Sequence, residues 1–170
     1  RTLAFSEVNR DAAATFRKNL GHDQLVDIGD IANLTETRVT QLKREWKREL
    51  GSADVDLVSG GPPCQGYSGI GHRRSYAIER EQIPSNHLFR EMVRVVKDIR
   101  PKAFIFENVR GLLSGRWTKD KPKGSIWKEV RETFRSIDGD EAELRVVHAK
   151  CYGGPQNRPL VLLVGIRSDL

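Results

Sequence analysis

Short apolar runs alternate along this chain with stretches of helical periodicity, and that alternation restricts the fold more than any other feature. Leu3-Ala4-Phe5 precedes a helix expected from about Asn9 to Leu20, with Asn9 or Asp11 near its start and Ala13, Phe16 and Leu20 on one face. Leu25-Val26-Asp27-Ile28 leads into an amphipathic helix from Thr37 to Leu50, closed by Gly51. Val55-Asp56-Leu57-Val58 is followed by an irregular stretch from Gly66 to Asn86, then by a helix from His87 to Ile99 that Pro101 breaks. Ala103-Phe104-Ile105-Phe106 runs straight into Glu107-Asn108-Val109 and precedes a helix from Ser125 to Ser136. Leu144-Arg145-Val146-Val147 and Leu160-Val161-Leu162-Leu163-Val164 have only a Gly153-Gly154-Pro155 connection between them, which predicts an antiparallel hairpin at one edge. Apolar strands separated by helices build a parallel sheet covered on both faces. The expected class is α/β, with a doubly wound, mostly parallel sheet ending in that edge hairpin.

The size and balance of the chain fit this reading. Its 170 residues suit one domain with a substantial core, and 38% apolar against 31% charged residues describes a globular chain, not a disordered one. No apolar run approaches the roughly 20 residues that span a bilayer. The opening Arg1-Thr2-Leu3-Ala4-Phe5 has neither an initiator Met nor a signal-peptide pattern, so the chain is expected to be a piece of something longer. Cys64 and Cys151 lie far apart, with no disulfide framework and no metal-ligand spacing, which favours a reducing compartment and no metal.

A formal charge of +6 modestly favours a polyanionic partner. Much of the positive charge alternates with acids, as in Lys43-Arg44-Glu45-Trp46-Lys47-Arg48, and reads as a solvated helix face. From Arg110 to Lys128 the balance changes: Arg110, Arg116, Lys119, Lys121, Lys123 and Lys128 stand against one acid, Asp120. A loop touching a phosphate backbone and a merely soluble loop fit this stretch equally well.

Gly60-Gly61-Pro62-Pro63-Cys64-Gln65-Gly66-Tyr67-Ser68 follows one of the apolar runs. A rigid Pro-Pro turn there delivers a thiol to the end of a strand, where ligands and catalytic groups collect in open α/β sheets. Cysteine is readily converted to a strong nucleophile near neutral pH. The bland alternatives are a small buried apolar residue and an ordinary turn, and the flanking prolines and glycines argue against a packed core position. Glu7, Asp30 and Glu107 also follow apolar runs. Each acid alone reads as a helix cap or a first-turn charge. Together with Cys64 they are expected to line one crevice on one sheet edge.

Pro63-Cys64-Gln65, then Glu107-Asn108-Val109, then Gln156-Asn157-Arg158 resembles the DNA (cytosine-5)-methyltransferases in order, spacing and strand context. Phe5-Ser6-Glu7-Val8-Asn9 and Gly29-Asp30-Ile31 look like that family's two early cofactor-binding segments. The resemblance runs from the second family motif to the eighth, so the chain is read as one incomplete catalytic domain over 1–170 that lacks the glycine-rich first motif and the target-recognition region. On its own this stretch is expected to be inactive. The resemblance implies the Rossmann-like fold of S-adenosylmethionine-dependent methyltransferases.

It also implies roles. Cys64 would add to carbon 6 of a flipped cytosine, Glu107 would hydrogen-bond or protonate ring nitrogen 3, and Arg158 would support the site near the target base. Glu7 would bind both ribose hydroxyls of S-adenosyl-L-methionine, with S-adenosyl-L-homocysteine as product. Val8 would pack on the adenine, Asp30 would accept from its amino group with the Ile31 backbone beside it, and Pro63 and Leu88 would complete the apolar walls. Residues 66–86 would form a mobile catalytic loop, with Ser68, Arg73 and Arg74 reaching DNA. The implied partners are double-stranded DNA and a restriction endonuclease system, with no membrane. The implied place is the bacterial cytoplasm with the nucleoid, or the nucleus of a eukaryote.

The sequence departs from the family at one position. Where the family usually carries a second arginine two residues after Arg158, this chain has Leu160. That leaves open a catalytically impaired DNA-binding or regulatory relative. A tRNA cytosine methyltransferase of the same fold also stays open, because it would keep the Pro-Cys-Gln and Glu-Asn-Val segments.

Overall fold

The computed structural model describes residues 1–63, 83–137, 140–148, 151, 153 and 159–170, without the side chains of 140–146. It divides into two compact units, Arg1–Ala53 and Asp54–Leu170, each described by itself.

In the first unit, β1 (Ala4–Phe5) and β2 (Val26–Asp27) form a parallel pair, with Ala4 opposite Val26 and Phe5 opposite Asp27. Helix α1 (Arg10–Leu20) starts where the Asn9 side chain accepts from the Asp11 and Ala12 N–H groups, the cap expected from the sequence. Phe16 of α1 stacks on Phe5 of β1 with ring centroids 4.5 Å apart, and Arg17 pairs with Asp27 of β2 at 2.6 Å. The expected apolar face is only partly realised: Ala13 is buried, while Leu20 is 53% exposed. Strands of two residues offer no surface for the last turn of the helix. Helix α2 (Glu36–Leu50) starts at Thr35, whose hydroxyl accepts from Arg38 N–H at 3.3 Å, and ends at Gly51 in the left-handed region at φ 79°. It buries Val39, Leu42 and Trp46, three residues at helical spacing.

The second unit holds a four-stranded sheet in the order β3-β4-β6-β5, made of β3 (Leu57–Gly60), β4 (Ala103–Val109), β6 (Pro159–Arg167) and β5 (Asp140–His148). β3 and β4 run parallel, from Leu57 opposite Ala103 to Gly60 opposite Phe106. β6 is antiparallel to both β4 and β5, so the hairpin expected from the sequence is present, with β5 outermost. Among the described residues, two strand pairs are parallel and two antiparallel.

Three strand boundaries differ from expectation, each for a physical reason. β3 lies two residues later than Val55–Val58, because its ladder with β4 continues through Gly60, where a Cβ would come 3.0 Å from Met92 Sδ. Glu107 lies inside β4, opposite Leu162, instead of after the strand. β5 begins at Asp140, where no apolar run marks it, because β6 supplies a partner along its whole length.

Helices α3 (Leu88–Ile99) and α4 (Ser125–Arg135) cover one face of this sheet. Phe104 and Phe106 of β4 and Leu163 of β6 point into that layer and meet Phe89, Val96, Ile126, Val130 and Phe134. The Phe134 ring lies 5.2 Å from Phe104 and 5.0 Å from Phe106, centroid to centroid. Burying each such ring contributes about 1.5–3 kcal/mol. Gly165 of β6 has to be glycine, because a Cβ there would stand 2.1 Å from the Phe104 ring. α3 ends at Arg100, a non-glycine residue at φ 51°, just before Pro101.

Candidate active site

Because β3 and β4 are parallel, both deliver their carboxyl ends to the same sheet edge. Gly60 faces Phe106 across the ladder, and at the next step the Glu107 side chain lies against Gly61. A Cβ on Gly61 would stand 2.7 Å from Glu107 Oε2, so the carboxylate occupies space that only a glycine leaves open. The neighbouring Asn108 is 4% exposed. Its Nδ2 donates to the Pro62 carbonyl at 3.1 Å, and its Oδ1 accepts from the Val109 N–H at 2.9 Å. A buried amide with both ends satisfied is a strong positioning device, each bond contributing about 1 kcal/mol net. The Pro62-Pro63 turn and the acid-bearing strand are thereby tied together, and the residue after Pro63 in sequence is Cys64.

Leu160 of β6 pairs with Val109, and Leu162 pairs with Glu107. Residues opposite one another in a ladder share a face, as do alternate residues of one strand. Leu160 therefore lies on the Glu107 face, one diagonal step further toward the end of β4. Leu88, expected to wall a ligand, is half-buried at the head of α3, and Pro63 is exposed. Cys64, Ser68, Arg73, Arg74 and Arg158 lie outside the described residues.

In the Arg1–Ala53 unit the parallel pair β1–β2 likewise brings two strand ends side by side. The Ser6 hydroxyl donates to the Gly29 carbonyl at 2.8 Å and ties them together. Glu7 Oε1 accepts from the Asn9 N–H at 2.8 Å, and Asp30 Oδ1 accepts from the Ala32 N–H at 2.9 Å, opening the 3₁₀ turn Ile31–Asn33. Asp30 thus caps the 3₁₀ turn, one of the alternatives the sequence offered, while Glu7 holds the backbone of Asn9, the residue that caps α1. Between them in chain order, Val8 stands 72% exposed, an apolar side chain with little to pack on. Asp27 shapes the approach to Asp30 by accepting from the Gly29 N–H at 2.8 Å, with Gly29 at φ 67°. The hydrogen bond from Arg17, then that from Gly29, holds the Asp27 carboxyl below the usual carboxylate range.

Two contributors escaped the sequence reading as individual groups, Gly61 and Asn108. Their signals were present: a second glycine before a Pro-Pro pair, and an amide beside an acid in a strand whose other residues are apolar. Among the described residues no group of three His, Cys, Asp or Glu side chains could hold a metal. No described helix is long and apolar enough to cross a membrane.

Known proteins resemble this chain in sequence and in fold. The family model described as C-5 cytosine-specific DNA methylase matches residues 1–170. An orphan methyltransferase of Bacillus phage SPR, M.SPRI, is 29% identical over 168 residues, covering 99% of this chain and 33% of the relative. The type II methyltransferase M.XorII of Xanthomonas oryzae pv. oryzae is 40% identical over 122 residues, covering 71% of this chain and 26% of its own length. The chain thus spans about a third or less of these two relatives. The solved S. pombe Dnmt2 methyltransferase superposes with a TM-score of 0.64 at 16% identity, covering 99% of this chain and 42% of that one, a likeness of fold.

Proposed function

The chain belongs to the C-5 cytosine-specific DNA methylase family, and from that premise we propose that it forms the bond-making part of an S-adenosyl-L-methionine-dependent DNA cytosine-5 methyltransferase. One observation carries the reading: Glu107 lies against Gly61 while Asn108 holds the Pro62 carbonyl, so the acid and the turn leading to Cys64 are built as a single piece.

The chemistry follows from what cytosine lacks. Its carbon 5 is a poor nucleophile until something adds to carbon 6. The Cys64 thiolate makes that bond, and the electron pair of the ring double bond moves toward ring nitrogen 3, where Glu107 donates a hydrogen bond or a proton. Carbon 5 then takes a methyl group, a base removes the carbon 5 proton, and departure of the thiolate restores the ring. Arg158 supports the site near the base. The target cytosine has to leave the stack to reach such a crevice. Ser68, Arg73 and Arg74, within the loop 66–86, meet the phosphates of the flipped strand.

The strand ends of the Arg1–Ala53 unit fit the cofactor. Glu7 and Asp30 each have one carboxylate oxygen engaged by a backbone N–H, and the other makes no hydrogen bond among the described residues. The exposed Val8 offers an apolar face for a planar base. Glu7 takes the ribose hydroxyls, and Asp30 with the Ile31 backbone takes the adenine edge. S-adenosyl-L-methionine, when bound, supplies an electrophilic methyl group and leaves as S-adenosyl-L-homocysteine. The partner is double-stranded DNA, and the type II naming of the Xanthomonas relative supports pairing with a restriction endonuclease.

The test uses the full-length protein, cofactor and duplex DNA carrying 5-fluorocytosine at the target. A denaturation-resistant complex through Cys64 is expected, and Cys64→Ser should abolish the complex and reduce methyl transfer by about 10⁴-fold or more. Trapping that survives Cys64→Ser would overturn the assignment. Transfer to tRNA but not to duplex DNA would move the substrate to RNA. Leu160 supports a second reading, a relative with weakened catalysis, because it puts an apolar side chain on the Glu107 face. Under that reading Leu160→Arg raises methyl transfer above that of the natural chain.

A further inference from the structure

We propose that the loop Arg116–Lys123 is a preformed contact for the phosphate backbone of duplex DNA beside the reacting base, an inference that rests on the function proposed above. The loop leaves the 3₁₀ turn Arg110–Ser114, which directly follows β4, the strand that carries Glu107.

Its ends are pinned together. The Gly115 carbonyl accepts from Gly124 N–H at 3.0 Å and from Ile126 N–H at 3.4 Å, and Gly124 turns the chain at φ 85°. Trp117 plugs the enclosed space at 6% exposure. Its ring stacks on His87 with centroids 4.8 Å apart, and its Nε1 donates to Glu129 Oε2 at 2.8 Å. Inside the loop, Arg116 Nη1 donates to the Lys119 carbonyl at 2.9 Å and Lys121 N–H to the Thr118 carbonyl at 3.3 Å. These features make a compact Ω-type loop closed at a neck and packed by its own tryptophan, not a floppy basic tail.

The loop holds Arg116, Lys119, Lys121 and Lys123 against the single acid Asp120, a net charge of +3. Asp120 is exposed and, as an ordinary carboxylate, is ionised at neutral pH, so the loop keeps its net charge of +3. All four cationic side chains are exposed. Elsewhere in the unit several cations pair with acids, among them Arg94 with Glu91 and Asp98, Lys102 with Asp56, and Arg167 with Asp169. Among the described residues Lys119, Lys121 and Lys123 form no ion pair. Three unmatched ammonium groups on a rigid support suit phosphates, which they meet as point charges with little ordering to impose on binding.

Lys119→Gln, Lys121→Gln and Lys123→Gln, combined in the full-length protein, test the inference, since none of the three residues belongs to the proposed chemistry. Binding to an unmethylated duplex would be measured from 50 to 200 mM salt, beside methyl transfer at saturating DNA. Each lost phosphate contact lowers the slope of log affinity against log salt by about 0.9, so the triple variant should lose about 2.7 from the slope and keep its saturated turnover. The matching triple Lys→Arg variant should keep the natural slope. An unchanged slope in the Gln variant, with methyl transfer to DNA intact in the natural protein, overturns the loop's role alone. A natural protein that neither binds nor methylates duplex DNA overturns the functional reading and this inference with it.

Discussion

Arg1–Ala53 pairs two strands of two residues each, whereas in Asp54–Leu170 β4 pairs with β6 over seven residues and with β3 over four. The first unit buries its large apolar side chains mainly along one stripe of α2, while the second stacks Phe104, Phe106 and Phe134 against one another beneath the sheet. The acids proposed to grip a cofactor, Glu7 and Asp30, stand on the lightly built unit, and the groups proposed to make bonds stand on the deeply packed one. That division matches what each task demands. Holding a ligand tolerates adjustment, but covalent chemistry loses rate when a group is misplaced by about 1 Å.

The difference can be broken most forcefully in the core. Phe134→Ala should destabilise the second unit by about 3–5 kcal/mol in denaturant unfolding. Phe16→Ala, which removes a half-buried ring from the first, should cost only about 1–2 kcal/mol. Equal losses would mean the two units are packed alike. Gly61→Ala should come next. Its methyl group displaces the Glu107 carboxylate, so methyl transfer should fall about 100-fold while the melting temperature barely moves. Glu7→Gln is milder. The amide oxygen can still cap Asn9 N–H, so the fold is kept while KM for S-adenosyl-L-methionine rises about 10-fold at nearly constant kcat.

The smallest effect concerns pH. Asp27, lowered by Arg17, contributes stability that is full above its unfolded pKa and disappears as pH falls through its lower folded value. Acidification below about pH 4 should loosen the β1–β2 amides in hydrogen exchange before those of β4 and β6, and Asp27→Asn should remove that pH dependence.

Much of this architecture was legible in the residues. α1 and α2 sit within a residue or two of expectation because Asn9 and Gly51 are readable stops, and the edge hairpin follows from two apolar runs with no helix between them. The misses share a cause. Gly60 extends β3 although glycine rarely marks a strand, and Asp140 opens β5 without an apolar signal, because pairing with a distant strand decides both. Within the site, the residue types and their spacing pointed to the chemistry. The Asn108–Pro62 hydrogen bond and the Glu107–Gly61 approach were hidden, since each joins residues about 46 positions apart that only the folded sheet brings together.

The central place of β4 also dictates how the unit can be assembled. Its partners on both sides, β3 and β6, are remote in sequence, while β5 and β6 are joined by a short connection. During synthesis Phe104-Ile105-Phe106 emerges long before β6, so a seven-residue, mostly apolar edge has to wait for its partner on the nascent chain. A ladder between strands so far apart in sequence closes slowly, so we expect the docking of β6 on β4 to be the slow, aggregation-exposed step of folding.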